Sequence, residues 1–193
     1  MSYTSVYYYA LIALTVGLYY ALKKQYRWII LLVSSMIFYA LIIQSPFQMA
    51  LFAAVIVISW FSGKLIEQHP DRRTLWTGLV LSLLPLLAVR LDAWQVMYLH
   101  GSARLLVPAG ISFFSLQAAA YLVDIYNGKI QAQKNLLRYA LFIAWFPQII
   151  QGPIPRYEQL ADQLNQGHDY DTDRFMKGIQ LIIWGFFLKF MIA

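Results

Sequence analysis

The sequence contains no cysteine and few charged side chains, and these absences narrow what the protein can be. Without cysteine, disulfide bonds and thiol chemistry are excluded. Only 12% of the 193 residues are charged and 60% are hydrophobic, whereas a soluble domain carries about a quarter charged residues. No charge falls within residues 1–22, 28–63 or 105–123. This composition predicts an all-α, polytopic helical membrane protein.

Long apolar runs predict where helices cross the membrane, because the hydrocarbon core of a bilayer needs about 20 apolar residues per helix. They indicate a single membrane domain with about six to seven membrane helices, a broken or re-entrant segment near 145–156 and a short interfacial helix. The interfacial helix is expected after residue 156, where apolar residues recur at helical spacing between polar ones. The spanning candidates lie at about 6–22, 28–43, 47–62, 75–89, 105–123, 139–150 and 175–192.

Basic residues are distributed unevenly between the predicted loops, and this predicts an orientation. If the N-terminus lies outside, the inner loops hold nine basic residues and the outer loops only Arg90 and Arg104. Inner loops are normally the basic ones, so we expect the N-terminus outside. The side of the later basic residues stays open, because it depends on whether residues 139–153 cross the membrane or turn back. These later residues are Arg156, Arg174, Lys177 and Lys189.

The segment WFPQIIQGPIPRYEQL, residues 145–160, is apolar enough for lipid but contains three prolines and Gly152. Proline removes a backbone donor, and inside a bilayer every backbone polar group needs a partner. One interpretation is a kink that leads to the interfacial helix. The other is a re-entrant element that lines a water-filled cavity, where Gln148 and Gln151 would either join helices or line a path.

No catalytic group is recognisable from its pattern. His69, His100 and His168 fall in polar loops, where a histidine is usually solvated. No pair has metal-ligand spacing, and no serine lies in a nucleophile-elbow motif. The residues alone therefore assign no metal site, no bound cofactor and no catalytic side chain.

Residues 107–164 contain an ordered set of blocks that resembles the signature region of the membrane-bound O-acyltransferases. The resemblance is to the bacterial branch that includes alginate O-acetylation proteins and the transporters of D-alanine onto teichoic acids. Beyond this signature region, the resemblance to the family extends over nearly the whole chain. The matching blocks are GISF at 110–113, YLVDIY followed by GKI, KN-LL-YALF from Lys134 and FPQIIQGPI-R at 146–156.

This resemblance implies a helical enzyme in the bacterial cytoplasmic membrane. It implies transfer of an acyl group, expected to be acetyl, from an acyl-thioester or acyl-carrier donor on the cytoplasmic side to hydroxyls of an extracytoplasmic polysaccharide. The implied partners are the lipid bilayer, the donor and the envelope polysaccharide, with no nucleic acid. The alternatives are D-alanyl transfer to teichoic acid, a non-catalytic membrane scaffold that packs against a partner subunit, and a transport module.

The resemblance also assigns roles to residues. The family's histidine, a general base for the acceptor hydroxyl, comes after the region matched here. The chain is therefore expected to be an N-terminal portion, inactive alone, with no catalytic residue of its own. Gln148, Gly152, Pro153 and Arg156 match the family's block. They are expected to form and position the wall of the acyl-transfer cavity, or only to fix the fold.

Overall fold

The computed structural model describes residues 6–43, 45–99, 109–149 and 154–191, and within these ranges every regular element is helical. A short 3₁₀ turn, Lys24–Tyr26, joins the first two helices. The predicted all-α class is confirmed. The α-helices are α1 Val6–Ala21, α2 Arg27–Ile42, α3 Pro46–Gln68, α4 Arg72–Leu99, α5 Ile111–Tyr126, α6 Leu136–Ala144, α7 Tyr157–Asn165 and α8 Thr172–Met191.

Three helices of the described part are long and apolar enough to cross a membrane: Lys24–Ile42, Pro46–Gln68 and Arg72–Leu91. Helices α1 and α5 are also apolar but have 16 residues each, or about 24 Å at 1.5 Å per residue. Large apolar side chains remain exposed along these helices, as expected where lipid is the solvent. The protein is therefore a helical membrane protein of the polytopic kind.

The helices pack in two groups around a shared aromatic core. Helix α3 packs against α4 and α5, while α2 packs against α1 and α6, and α6 also contacts α3 and α5. Phe38, Phe52, Phe114 and Phe142 are almost fully buried where these groups meet. Aromatic side chains bury large areas and prefer edge-to-face contacts, such as the pair Phe52–Phe114 with ring centroids 5.1 Å apart. This core fixes the position of α6.

One predicted span needs correction. The candidate at 139–150 is not a full helix, because α6 begins at Leu136 and ends at Ala144, and residues 146–149 form turns. Nine residues of helix extend about 14 Å, roughly half of the 30 Å hydrocarbon core. Proline at 147 cannot donate a backbone hydrogen bond, which is why the helical ladder stops before it.

The other candidates are helical with shifted bounds. The span predicted at 75–89 belongs to the longer α4, which continues past Arg90 and keeps Pro85 inside the helix. The span predicted at 105–123 begins as a helix only at Ile111, and residues 105–108 lie outside the described ranges. The span at 175–192 corresponds to α8.

The short helix predicted after the break is α7, and its apolar face packs onto α6 and α2. Ala161 and Leu164 are buried in that contact, as their spacing predicted. In contrast, α8 has no extensive packing against any other described helix, and most of its large apolar side chains are exposed.

Candidate functional site

The residues just before α6 and those at the start of α7 lie at the same end of the helix bundle. Gln133, just before α6, donates a hydrogen bond from Nε2 to the hydroxyl of Tyr157, the first residue of α7, over 2.8 Å. The backbone N–H of Gln133 donates to the hydroxyl of Tyr121 on α5, also over 2.8 Å. Burial raises the pKa of Tyr157, so its phenol is neutral when it accepts this bond near neutral pH. Segment 136–157 therefore turns back instead of crossing.

The end at which it returns carries most of the basic residues, and we call it the basic end. It holds the α1–α2 and α3–α4 connections and the C-terminal end of α5. The loop before α6 is fixed there by α3, since Trp60 Nε1 donates to the Gln133 carbonyl over 2.7 Å. Glu67 Oε1 accepts from the Ala132 N–H over 3.1 Å. The nine basic residues predicted for the inner loops all belong to this end or its helix termini.

The loop between α7 and α8 also lies at the basic end. Lys24 Nζ is 2.6 Å from Asp169 Oδ2, and Arg27 Nη1 donates to the His168 carbonyl over 2.5 Å. The hydrogen bond and charge of Lys24 hold the pKa of Asp169 below its ordinary value. Helices α7 and α8 thus start at the basic end, with Arg156, Arg174 and Lys177 near their N-termini. The sequence had left open the side on which these three residues lie.

The end of α6 lies at about the middle of the bundle's depth. Helices α2 and α6 start at the same level, because the Arg138 guanidinium carbon is 5.4 Å from the centre of the Trp28 ring. Further along, the backbone N–H of Phe146 donates to Ser35 Oγ over 3.4 Å. Ser35 lies eight residues beyond the start of α2 at Arg27, about 12 Å along its axis. This distance is close to half of a bilayer core of about 30 Å, so the described break at 145–149 lies about half-way along α2.

Neighbouring protein groups satisfy the backbone where α6 stops. The last carbonyls of a helix lack intrahelical partners, and here Gln117 on α5 donates from Nε2 to the Phe142 carbonyl over 3.0 Å. Gln117 is itself buried within the bundle. Its role was not predicted from the sequence, although an amide in an uncharged membrane helix is a recognisable signal for a buried polar contact.

The break also makes its own turn. The N–H groups of Gln148 and Ile149 both donate to the Trp145 carbonyl, each over 3.1 Å. Phe146 and Ile149 are buried, and Pro147 lies half-buried between them. The described part of the break is thus held inside protein, which is one of the two settings in which irregular backbone is tolerated at membrane depth.

Gly110, just before α5, packs directly against the backbone of the break. Gly110 has φ +78°, in the left-handed region, and a Cβ built on it would lie 2.1 Å from the Ile149 carbonyl oxygen. Only glycine suits both the conformation and the contact. This contact joins two blocks of the sequence, GISF and FPQII, which are 33 or more residues apart along the chain but adjacent in the fold.

The structure separates the predicted site residues. Gln148 is half-buried in the break, and its Oε1 is buried with no hydrogen-bond partner among the described residues. Arg156 is exposed at the N-cap position of α7, where its carbonyl accepts from the N–H groups of Gln159 and Leu160. Gly152 and Pro153 lie outside the described residues. Gln148 is therefore the candidate at depth and Arg156 the candidate at the basic end.

Besides Ser82 Oγ on α4, two further buried hydroxyls lack partners among the described residues, and the sequence did not single them out as site residues. They are Tyr39 Oη on α2 and Ser115 Oγ on α5. Both helices contribute to the core around the break, through the ring pairs Tyr39–Phe114 at 6.5 Å and Phe38–Phe146 at 5.5 Å. Buried polar atoms without partners are rare in native proteins, so this part of the core has unused hydrogen-bonding capacity.

The comparisons with known proteins concern the sequence. No protein-family model matches the chain, and no solved structure matches it. The chain is 32% identical over 195 residues to "Probable alginate O-acetylase AlgI" of Pseudomonas fluorescens, which covers 98% of this chain and 38% of that protein. It therefore spans about two fifths of that relative's length.

Two other relatives match shorter parts. The chain is 31% identical to "Peptidoglycan O-acetyltransferase" of Helicobacter pylori, over 46% of this chain and 22% of that protein. It is 30% identical to "Teichoic acid D-alanyltransferase" of Bacillus subtilis, over 49% of this chain and 24% of that protein.

Proposed function

Since the chain belongs to the membrane-bound O-acyltransferases, in the branch of the bacterial alginate O-acetylases, we propose that it forms part of an enzyme that acetylates polysaccharide hydroxyls outside the cytoplasm. The observation that carries this proposal is the 32% identity to an alginate O-acetylase over 98% of the chain. In such a transfer the hydroxyl oxygen attacks the donor's acyl carbon, the carbon–sulfur bond of a thioester breaks, and an ester forms.

The hydroxyl proton must leave to a base, because alcohols are poor nucleophiles near neutral pH. Neither His69 nor His168 lies in the core of the bundle, and His100 is outside the described residues. We therefore assign no base among the described residues and give them a structural and positioning role. Residues 1–193 alone are expected to be inactive.

The re-entrant segment is our candidate for the wall of the acyl-transfer cavity. Its support is geometric: the break at 145–149 lies near mid-depth, and Gln148 there has a buried acceptor with no partner among the described residues. An unused acceptor at this depth is suited to a substrate or a bound water. Gly152 and Pro153 are proposed to continue the wall, and Arg156 to act where the donor approaches.

The distribution of charge supports an orientation with the basic end in the cytoplasm and the N-terminus outside, in the cytoplasmic membrane of a bacterium. Arg156, Arg174 and Lys177 now add to the nine basic residues of that end, which strengthens the asymmetry on which the positive-inside rule depends. The acyl-thioester or acyl-carrier donor is proposed to approach the basic end, and the polysaccharide the opposite end.

Transfer of D-alanine to teichoic acid is the second candidate, favoured by the similarity to the teichoic acid D-alanyltransferase of B. subtilis. That similarity covers 49% of the chain, against 98% for the alginate O-acetylase, so acetyl transfer ranks first. A non-catalytic scaffold would keep the fold without either activity.

The test is to delete the gene in its native bacterium and quantify ester-linked acetate and D-alanine in the envelope polymers. The proposal predicts loss of polysaccharide acetate with D-alanine unchanged, restored by the wild-type gene. Loss of D-alanine alone would establish the second candidate, and unchanged levels of both esters would overturn the enzymatic proposal.

A further inference from the structure

A groove of about 670 Å³ runs between α1 and α8 and has two chemically distinct parts. Its apolar walls are separated because α8 packs extensively against no described helix. Its mouth is polar and lies at the basic end, beside the loop that Lys24 and Arg27 hold. The apolar part is lined by Ile12 and Val16 of α1 and by Phe175, Gly178, Ile179 and Ile182 of α8.

The mouth of the groove contains charges of both signs. Asp169, Asp171 and Arg174 line it together with His168. Arg174 Nε lies 3.3 Å from Asp171 Oδ2, and the two side chains are 80% and 47% exposed. Exposed ion pairs of this kind contribute little to stability, so these groups are free to exchange partners. A ligand with one negative and one positive group matches this mouth better than an anion, which would face two carboxylates.

The length of the apolar part fits one leaflet of a bilayer. On α8 it runs from Phe175 to Ile182, and on α1 from Tyr20 back to Ile12, which is about 10 to 12 Å along each helix. Half of the hydrocarbon core measures about 15 Å. The groove thus begins at the level of the headgroups on the basic end and reaches towards the bilayer centre.

Gly178 keeps the groove open on the side of α8. A Cβ added there would meet no atom within 4 Å, so the space in front of it is empty of protein. In lipid, small residues normally permit helices to approach closely, but α1 and α8 do not close on each other here.

We propose that this groove binds a bilayer phospholipid with a zwitterionic headgroup, whose acyl chain lies between α1 and α8. The lipid phosphate pairs with Arg174, and its ammonium group pairs with Asp171. The site is separate from the proposed acyl-transfer cavity, because its lining residues come from α1, α8 and the α7–α8 region and include none of the break.

The test uses the purified protein after reconstitution in vesicles of equal phosphatidylethanolamine and phosphatidylglycerol, with retained lipid measured by native mass spectrometry. Gly178→Leu fills the groove, whereas Gly185→Leu on the same helix also enters open space but does not line the groove. Both changes raise helix propensity equally. Loss of about 1.5 kcal/mol of apolar contact corresponds to roughly tenfold weaker binding, so Gly178→Leu is expected to lower retained phosphatidylethanolamine roughly tenfold and Gly185→Leu to leave it unchanged.

The headgroup assignment has its own comparison. Arg174→Gln is expected to reduce retention of phosphatidylethanolamine, and Lys177→Gln, which does not line the groove, is expected to have no effect. Equal retention in wild type and Gly178→Leu would overturn the proposal, as would equal loss in both glycine variants. A preference for phosphatidylglycerol over phosphatidylethanolamine would also overturn it. The detection of a lipid-free dimer of the protein, dissociated by Gly178→Leu, would overturn it as well. Circular dichroism of each variant confirms that it is folded.

Discussion

Gln133 and Tyr157 stand 24 residues apart, on either side of α6 and the break, and are joined by a 2.8 Å hydrogen bond. This bond closes a loop that reaches the middle of the bundle and returns to the end where it began. The Tyr157 ring also packs against Phe142 of α6, with centroids 4.9 Å apart. The return path is therefore fixed by polar and aromatic contacts together.

Tyr157→Phe removes the hydroxyl of this contact and keeps the ring. Because a net intramolecular hydrogen bond contributes about 0.5–1.5 kcal/mol, we expect a destabilisation of that size in thermal unfolding of the detergent-solubilised protein. Tyr170→Phe, at an exposed ring, is the control and should change little. Equal effects of the two substitutions would show that the hydroxyl of Tyr157 does not stabilise the return of segment 136–157.

Gly110→Ala should be much more damaging than Gly128→Ala, although both glycines have positive φ. An added Cβ at Gly128 meets nothing within 4 Å, whereas at Gly110 it lies 2.1 Å from the Ile149 carbonyl oxygen. Left-handed backbone costs a non-glycine residue about 1–2 kcal/mol. We expect about that loss for Gly128→Ala, and at least about 3 kcal/mol for Gly110→Ala because the break must also move. The measurement is the free energy of unfolding of the two variants. Similar values would show that the Gly110–Ile149 contact does not fix the position of the break.

Gln148→Ala should reduce acyl transfer while leaving the fold intact. The Gln148 Oε1 has no partner among the described residues, so removing it breaks no described side-chain bond to that oxygen. If it positions a reacting group, its loss is expected to lower transfer roughly tenfold or more, since 1.4 kcal/mol corresponds to a factor of ten. The measurement is ester-linked acetate formed by the whole enzyme, with Gln159→Ala on the exposed face of α7 as control.

Arg156→Ala is expected to weaken use of the acyl donor without blocking insertion into the membrane. The side chain is exposed at the basic end, so little stability depends on it. The prediction is a higher KM for the donor with a smaller change in kcat. Full activity in both Gln148→Ala and Arg156→Ala would reduce the re-entrant segment to a structural turn.

The contact between Lys24 and Asp169 should persist in mild acid. Lys24 lowers the pKa of the Asp169 carboxyl, so the stabilisation is fully present above the ordinary aspartate pKa of about 3.9. It is lost as the pH falls through the lowered pKa of the folded state. Hydrogen exchange of residues 166–171 should therefore be constant from neutral pH down to that range after correction for the intrinsic rate, and Asp169→Asn should increase it at every pH above. An equal exchange rate in Asp169→Asn would show that the Lys24–Asp169 contact does not hold this loop.

Much of this fold follows from the sequence, because uncharged runs as long as 28–63 have few alternatives to membrane helices. The apolar spacing after Arg156 likewise predicted α7. What the sequence could not give was the depth at which α6 ends, because an apolar run has the same composition whether it crosses the bilayer or turns inside it. The contacts that decide between these outcomes, Gln117 with Phe142 and Gly110 with Ile149, join residues distant in the chain.

Segment 136–157 returns to the side from which it enters, and labelling of single introduced cysteines measures this. The chain has no cysteine of its own, so each introduced thiol reports alone. Lys134→Cys and Glu158→Cys, both at exposed positions, flank the segment. Asp71→Cys marks the basic end and Phe47→Cys the opposite end of α3. A membrane-impermeant maleimide applied to one face of oriented vesicles should label Lys134→Cys, Glu158→Cys and Asp71→Cys together and Phe47→Cys from the other face. Labelling of Glu158→Cys from the same face as Phe47→Cys would show instead that the segment crosses the membrane.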